Sequence, residues 1–242
     1  MITSSIKPYR FNILECFLLK RVEKIYLDSG YLFFRWPEVY FGDFEDFPLI
    51  QEVEPESKLK EDELYYYNID YLGLYVNGSS KEGHIRIFRD RIISCARRIA
   101  NNLNVNEYHV VNDLLTIVLI HEIGHWFTHS CHINNRRIRI KGFASQEKII
   151  KESMAQLTVV WSMMKLKNDA TKRINLVFDY LVERQPYPYQ AFRELGKKQS
   201  HAKTILKRYG YIADDYENNY GLDFNYFLHG DKIYKKKRNI IS

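Results

Sequence analysis

Hydrophobic and polar positions recur along the chain with two periods, and each period predicts its own elements. Leu14, Leu18, Val22 and Ile25 repeat at helical spacing behind Asn12, a residue that can cap a helix over 12–28, and Ser29-Gly30 ends it. The aromatic run 31–36, bounded by Gly30 and Pro37, predicts a strand. Two further strands are predicted at 71–76 and 83–88, with Asn77, Gly78, Ser79 and Ser80 as turn material between them. In the second of these, Ile85 and Ile87 face one way, and His84, Arg86 and Phe88 the other. Ile92, Ala96, Ile99 and Leu103 restore the helical period, and a further helix starts at Glu107 or Asp113 and runs to about Ser130. Ser145 can cap the next helix, with Glu147 in its first turn and Ile150, Met154, Leu157, Trp161 and Met164 as its apolar stripe. Two more helical stretches, roughly 170–183 and 189–209, are separated by QPYPYQ.

This pattern predicts an α+β fold, mostly helical, with a small mixed sheet ahead of the helix that ends near Ser130. The chain divides into an N-terminal helix and strand segment with an acidic loop (1–64), a core (65–168) and a helical C-terminal extension with a basic tail (169–242). The 242 residues suit one compact unit.

Composition changes the picture only in part. A hydrophobic fraction of 45% and an aromatic fraction of 15% fill a sizeable core and argue against extensive disorder. The net charge of +6 is unevenly spread: residues 38–63 carry ten acids against two lysines, 136–151 carry six bases against Glu147, and 232–238 carry five bases. Solvated surface and a basic tail account for these runs. A nucleic-acid partner is not expected, because no basic face interleaved with aromatics stands out. Three widely spaced cysteines, Cys16, Cys95 and Cys131, form no disulfide framework and fit a reducing, cytoplasmic setting. No run of 18 apolar residues predicts a membrane span.

The candidate chemistry lies in LLTIVLIHEIGHWFTHSCH, which holds four of the eight histidines. His121 and His125 are four residues apart, on one face of a helix, and can grip one ion. Neutral imidazoles suit Zn²⁺, one per chain. Glu122 borders the same face and can reach a water at that ion as general base. Gly124, inside the helix, costs about 1 kcal/mol against Ala, which is easier to explain if another element packs closely there.

Two histidines do not complete a catalytic zinc shell. His129 continues the row but lies about 12 Å along the axis from His121, too far for one ion in a straight helix. His132 does not fit the HExxHxxGxxH spacing, whose third histidine and preceding glycine fall here on Cys131 and Thr128. Glu152 in KESMAQ remains. It lies off the apolar stripe, on a face shared with Ala155, Gln156 and Val159, and small Ala155 would let its helix approach the first. A carboxylate in such surroundings needs a partner, and an ion supplies one. Glu147 is a rival whose position the helix dipole already explains.

HEIGH followed by ESMAQ resembles the gluzincin branch of the zincin metallopeptidases and, more loosely, the ImmA/IrrE-like peptidases, over about residues 65–167. The resemblance implies zinc held by His121, His125 and Glu152, with Glu122 as the base. It also implies a peptide or protein substrate paired with the sheet's edge strand, placed at 85–88. Tyr187, Tyr189, His201 and Tyr209 are candidate donors to an oxyanion, and Asp179 is a candidate acceptor for a ligand imidazole. The competing expectations are a binding or regulatory protein on a zincin scaffold, with structural metal or lost activity, and a basic nucleic-acid binder in which HExxH has no role.

Overall fold

The structure is a computed structural model that describes residues 7–33, 35–47, 67–76, 83–130, 132–133, 136–137, 146–196 and 198–215, together with Phe224, Phe227 and Leu228. The acidic segment from 48 onward, the 77–80 turn, Cys131, Ser145 and the basic tail lie outside the described residues.

Helix α1 spans Ile13–Asp28. It opens on a reciprocal cap: Asn12 Oδ1 accepts from the Glu15 N–H, and Glu15 Oε2 accepts from the Asn12 N–H, each at 2.8 Å. It closes at Ser29. The predicted strand at 31–36 reduces to β2, Tyr31–Leu32. Beyond Pro37 a strand not expected from the sequence, β3 (Glu38–Gly42), takes its place. The expected strand at 71–76 starts late. Ile69–Leu72 form a single helical turn, α2, capped by Asn68, and only Gly73–Val76 is strand, β4.

With β1 (Lys7–Pro8) and β5 (His84–Phe88), β3 and β4 make a mixed four-stranded sheet in the order β1-β3-β5-β4. Its β3–β5 pair is parallel, with Val39 opposite Ile85, and its β5–β4 pair is antiparallel, with Tyr75 opposite Ile85. This corrects the expected edge strand: β5 is interior, and β4 is outermost among the described residues. A second small sheet joins β2 to β6 (His132–Ile133) and β7 (Arg136–Arg137), so not all of the sheet structure precedes the motif helix.

Helix α3 (Arg89–Leu103) stops at Asn104, whose φ of 51° breaks the helical path. The Asn106 side chain then accepts from the Tyr108 N–H at 2.9 Å and starts α4 (Glu107–Ser130). Helix α4 is the axis of the molecule: from Leu114 to His129 all but Leu115 are buried. Helix α5 (Lys148–Met163) packs along it and is buried well beyond its apolar stripe, with Glu152, Ser153, Gln156, Thr158 and Ser162 also inside. Each fully buried large apolar side chain, such as Ile120 or Leu157, contributes about 1.5–3 kcal/mol.

Helix α6 (Asp169–Glu183) packs on α4, and its Arg173 donates to the buried Asp113 of α4 at 2.5 Å. The expected helix over 189–209 is broken into α7 (Tyr187–Gln190), α8 (Phe192–Leu195) and α9 (Gln199–Asp215), and Gly196, at φ 84°, separates α8 from α9. Helix α1 packs on α5 and α9. Arg21 donates to the Ser162 and Met164 carbonyls at the end of α5, and Tyr26 shares a 2.8 Å hydrogen bond with Thr158. No described helix is long and apolar enough to cross a membrane.

Candidate metal centre

Gly124 settles how the two motif helices meet. A Cβ there would lie 2.9 Å from Ala155 Cα and 2.9 Å from Thr158 Oγ1. The missing side chain is what lets α5 lie directly on α4, as its cost inside a helix suggested. The approach brings Glu152 onto the motif face. His121 Nε2 and His125 Nε2 are 3.1 Å apart, and Glu152 Oε2 is 3.2 Å from the first and 3.3 Å from the second. The three atoms form a nearly equilateral triangle. Tetrahedral Zn²⁺ with bonds of about 2.1 Å spaces its ligand atoms by about 3.4 Å, so the set fits one ion. Glu152 Oε2 makes no conventional hydrogen bond, as an atom aimed at a shared point would not.

A fourth group joins them. Asp70, on α2, brings a carboxylate oxygen into the cluster, and the ligand atoms of Asp70, His121, His125 and Glu152 all lie within 4.8 Å of one another. Asp70 accepts a hydrogen bond from the Tyr189 hydroxyl, and Lys148 Nζ stands 3.6 Å from it. This residue was not expected from the sequence. Its one local signal is Asn68, whose side chain accepts from the Asp70 N–H and starts the turn, but nothing in spacing ties that turn to a histidine about fifty residues later.

Glu122 is 2% exposed, and its Oε1 has no hydrogen-bond partner. It lies against β4, where the Tyr75 backbone N–H donates to its carboxylate. Gly73 makes this contact possible, since a Cβ there would fall 2.5 Å from Val118 Cγ1 and 3.5 Å from Glu122 Cγ.

The protein groups by themselves polarise one another strongly. Burial pushes the Glu122 carboxyl up to about 8, with Asp70 and Glu152 adding to it and His125 opposing. Burial, followed by the Glu152 charge, lifts Asp70 to about 6. His121 is driven down to about 4, first by burial. Burial also opposes a charged His125, but Glu152, Glu122 and Asp70 outweigh it and raise it to about 9. The two imidazoles overcome the burial of Glu152 and hold its carboxyl well below the usual range. A neutral His121 and an ionised Glu152 are the forms an ion requires, whereas His125, raised by its acidic neighbours, has to give up a proton when an ion binds.

The other expected site residues fall elsewhere. His129 is buried but bonds the Tyr75 hydroxyl through Nδ1 at 2.7 Å. The backbone of His132 pairs with Leu32. Glu147 accepts from the Phe224 N–H at 3.1 Å. Tyr187 is 56% exposed and donates to Glu194, and His201 and Asp179 are exposed. Tyr209 is buried beside Thr128 and Gln146, and its hydroxyl has no hydrogen-bond partner among the described residues. Of the four oxyanion candidates, Tyr189 alone reaches the cluster, and it does so through Asp70. The chain carries a buried His/Glu/Asp group able to hold a metal ion. No protein-family model, curated protein or solved structure matches this chain.

Proposed function

We propose that the chain is a zinc-dependent metallopeptidase of the gluzincin type, with His121, His125 and Glu152 as the metal ligands and Glu122 as the general base. The observation that carries this reading is the triangle of two imidazole nitrogens and one carboxylate oxygen with sides of 3.1, 3.2 and 3.3 Å. It stands beside a second buried carboxylate that does not belong to the triangle. A bound zinc supplies Lewis acidity to a carbonyl and to the attacking water. The protein's part is then to hold and move a proton. Glu122 Oε1, with no competing hydrogen bond, accepts the proton of the attacking water and returns it to the leaving amine. The Tyr75 N–H fixes the carboxylate while it does so. An extended peptide would pair with β4, the outermost described strand, which runs beside Glu122. The free thiols Cys16 and Cys95 suit a reducing, cytoplasmic setting.

Asp70 favours a second reading. If its carboxylate takes the fourth position, four protein groups close the shell, as in structural zinc sites. The chain would then be a zincin-scaffold binding or regulatory protein.

Metal analysis of protein purified without chelators, combined with cleavage of unfolded protein substrates, separates these readings. The peptidase reading expects one zinc per chain, loss of metal in Glu152→Ala, and retained metal without cleavage in Glu122→Gln. Cleavage by Glu122→Gln at the wild-type rate overturns the assigned base. Cobalt substitution reports the shell: an unchanged spectrum in Asp70→Ala supports three protein ligands, and a changed one supports the closed site.

A further inference from the structure

The interior holds a second polar feature, a line of amides that ends at His121. Gln156 is 0% and Gln185 3% exposed. Gln185 Nε2 donates to the Tyr67 backbone carbonyl at 2.8 Å, and Gln156 Nε2 donates to Gln185 Oε1 at 3.0 Å. Gln156 sits one helical turn beyond Glu152 on α5, on the face that meets α4. Its remaining atom, Oε1, has no hydrogen-bond partner, and neither has His121 Nδ1. The two side chains are neighbours. Both atoms are buried, one can only accept, and the other can donate, so each is the partner the other lacks.

The direction of this line is not free. A backbone carbonyl only accepts, so Gln185 must turn its amide nitrogen toward Tyr67 and its oxygen toward Gln156. Gln156 must then give its nitrogen to Gln185, which leaves its oxygen facing His121. That oxygen demands a proton on Nδ1. In a neutral imidazole a proton on Nδ1 leaves Nε2 with a lone pair. Nε2 is the atom that lies 3.1 Å from His125 Nε2 and 3.2 Å from Glu152 Oε2.

We infer that Gln156, anchored by Gln185 on the Tyr67 carbonyl, is a positioning residue that fixes the tautomer of His121 and so presents its Nε2 lone pair to the metal site. The inference rests on the reading of His121 as a ligand. Groups that orient a ligand histidine typically change metal affinity about 10–100-fold when lost. An amide in this role adds no charge. It leaves the ion facing the carboxylates of Glu152, Glu122 and Asp70 and no further one from behind His121.

The test compares Gln156→Met, Gln156→Glu and Gln185→Met with the wild type. Long-range ¹H–¹⁵N spectra of the metal-free proteins report the His121 tautomer, and competition with a chromophoric chelator reports zinc affinity. The wild type is expected to hold His121 protonated on Nδ1. Gln156→Glu, whose carboxylate still accepts, keeps that tautomer. Gln156→Met, similar in size but unable to accept, loses it and binds zinc about 10–100-fold more weakly. Gln185→Met leaves Gln156 in place but unanchored and falls between, so it carries the test if Gln156→Met does not fold. A purely packing role predicts the reverse order, with Met tolerated and a buried Glu not, and that result overturns the inference. Retention of the Nδ1–H tautomer in Gln156→Met also overturns it. A wild type that binds no zinc yet shows the expected tautomers refutes the metal reading and leaves the positioning role standing.

Discussion

Glu122→Gln in the metal-free protein isolates the cost of holding an ionisable carboxyl inside the fold. Burial raises the Glu122 carboxyl from 4.5 to about 8. A folded-state pKa above the unfolded value means that the folded chain binds the proton more tightly. The group's contribution to stability is therefore complete below pH 4.5, declines as pH rises, and is lost above about 8. Each unit is worth about 1.4 kcal/mol, so the full loss is roughly 5 kcal/mol. Glutamine does not titrate, and the other ionisable groups are common to both proteins, although His125 loses the pull of the Glu122 charge in the variant. The stability of Glu122→Gln over wild type should therefore widen by roughly 4 kcal/mol between pH 5 and pH 9. With a urea dependence of about 3 kcal/mol per molar, the midpoints should separate by a further ~1.3 M. The assay is urea unfolding in the presence of a chelator at several pH values. A separation that stays constant with pH would mean that Glu122 titrates normally, and the argument from its burial would fail.

Other outcomes follow from packing and pairing. Gly124→Ala forces α4 and α5 apart at a backbone contact, so it should destabilise by about 1–3 kcal/mol even after helix propensity returns up to about 1, and it should weaken metal binding; unchanged urea midpoint and zinc affinity would refute the close-approach argument. Gly73→Ala, which meets Val118, should lift β4 from Glu122, seen as a smaller pH-dependent difference between it and its own Glu122→Gln double variant. Asp113→Ala strands Arg173, whose side chain is 30% exposed, and should cost about 2–4 kcal/mol, somewhat under the figure for a fully buried pair. The Asp113→Ala/Arg173→Ala double variant should recover part of that, measured as a coupling energy in the same unfolding assay.

The parts of the fold legible in the sequence are those set by local chemistry. Asn12 and Glu15 announce α1, and the unbroken apolar run before His121 announces a buried helix. Ala155 beside Glu152 gave the third member of the cluster, because a small neighbour and an otherwise costly carboxylate point to the same contact. What was not legible depends on partners far away in the chain. β3 pairs in parallel with β5 across more than forty residues, and its short EVYFG segment carries no alternation of its own. Tyr71 and Leu72 read as strand from their side chains, but the Asn68 cap turns them into the end of α2. Asp70 travels with that turn, so missing the turn meant missing the fourth group. Gln156 was visible on the correct face of α5, yet its direction depends on Gln185 and on a carbonyl at Tyr67, which no periodicity reports. His129 shows the opposite case: a regular spacing with no shared ion, resolved by helix rise alone.

The parallel pairing of β3 with β5 has a consequence for dissecting the molecule. β3 sits between β1, from the same end of the chain, and β5, from the part that carries the candidate metal ligands. Helix α1, from that same end, meets α5 at Thr158, which is also one of the atoms that Gly124 approaches. A fragment that begins at residue 67 keeps every candidate ligand, yet it has a two-stranded ribbon in place of a sheet and an α5 open on one side. Residues 7–47 are thus expected to act as the missing half of a split protein. Supplied separately, such a piece would act as an activator in trans, and ion binding by the larger fragment would be a direct signal of their reassembly.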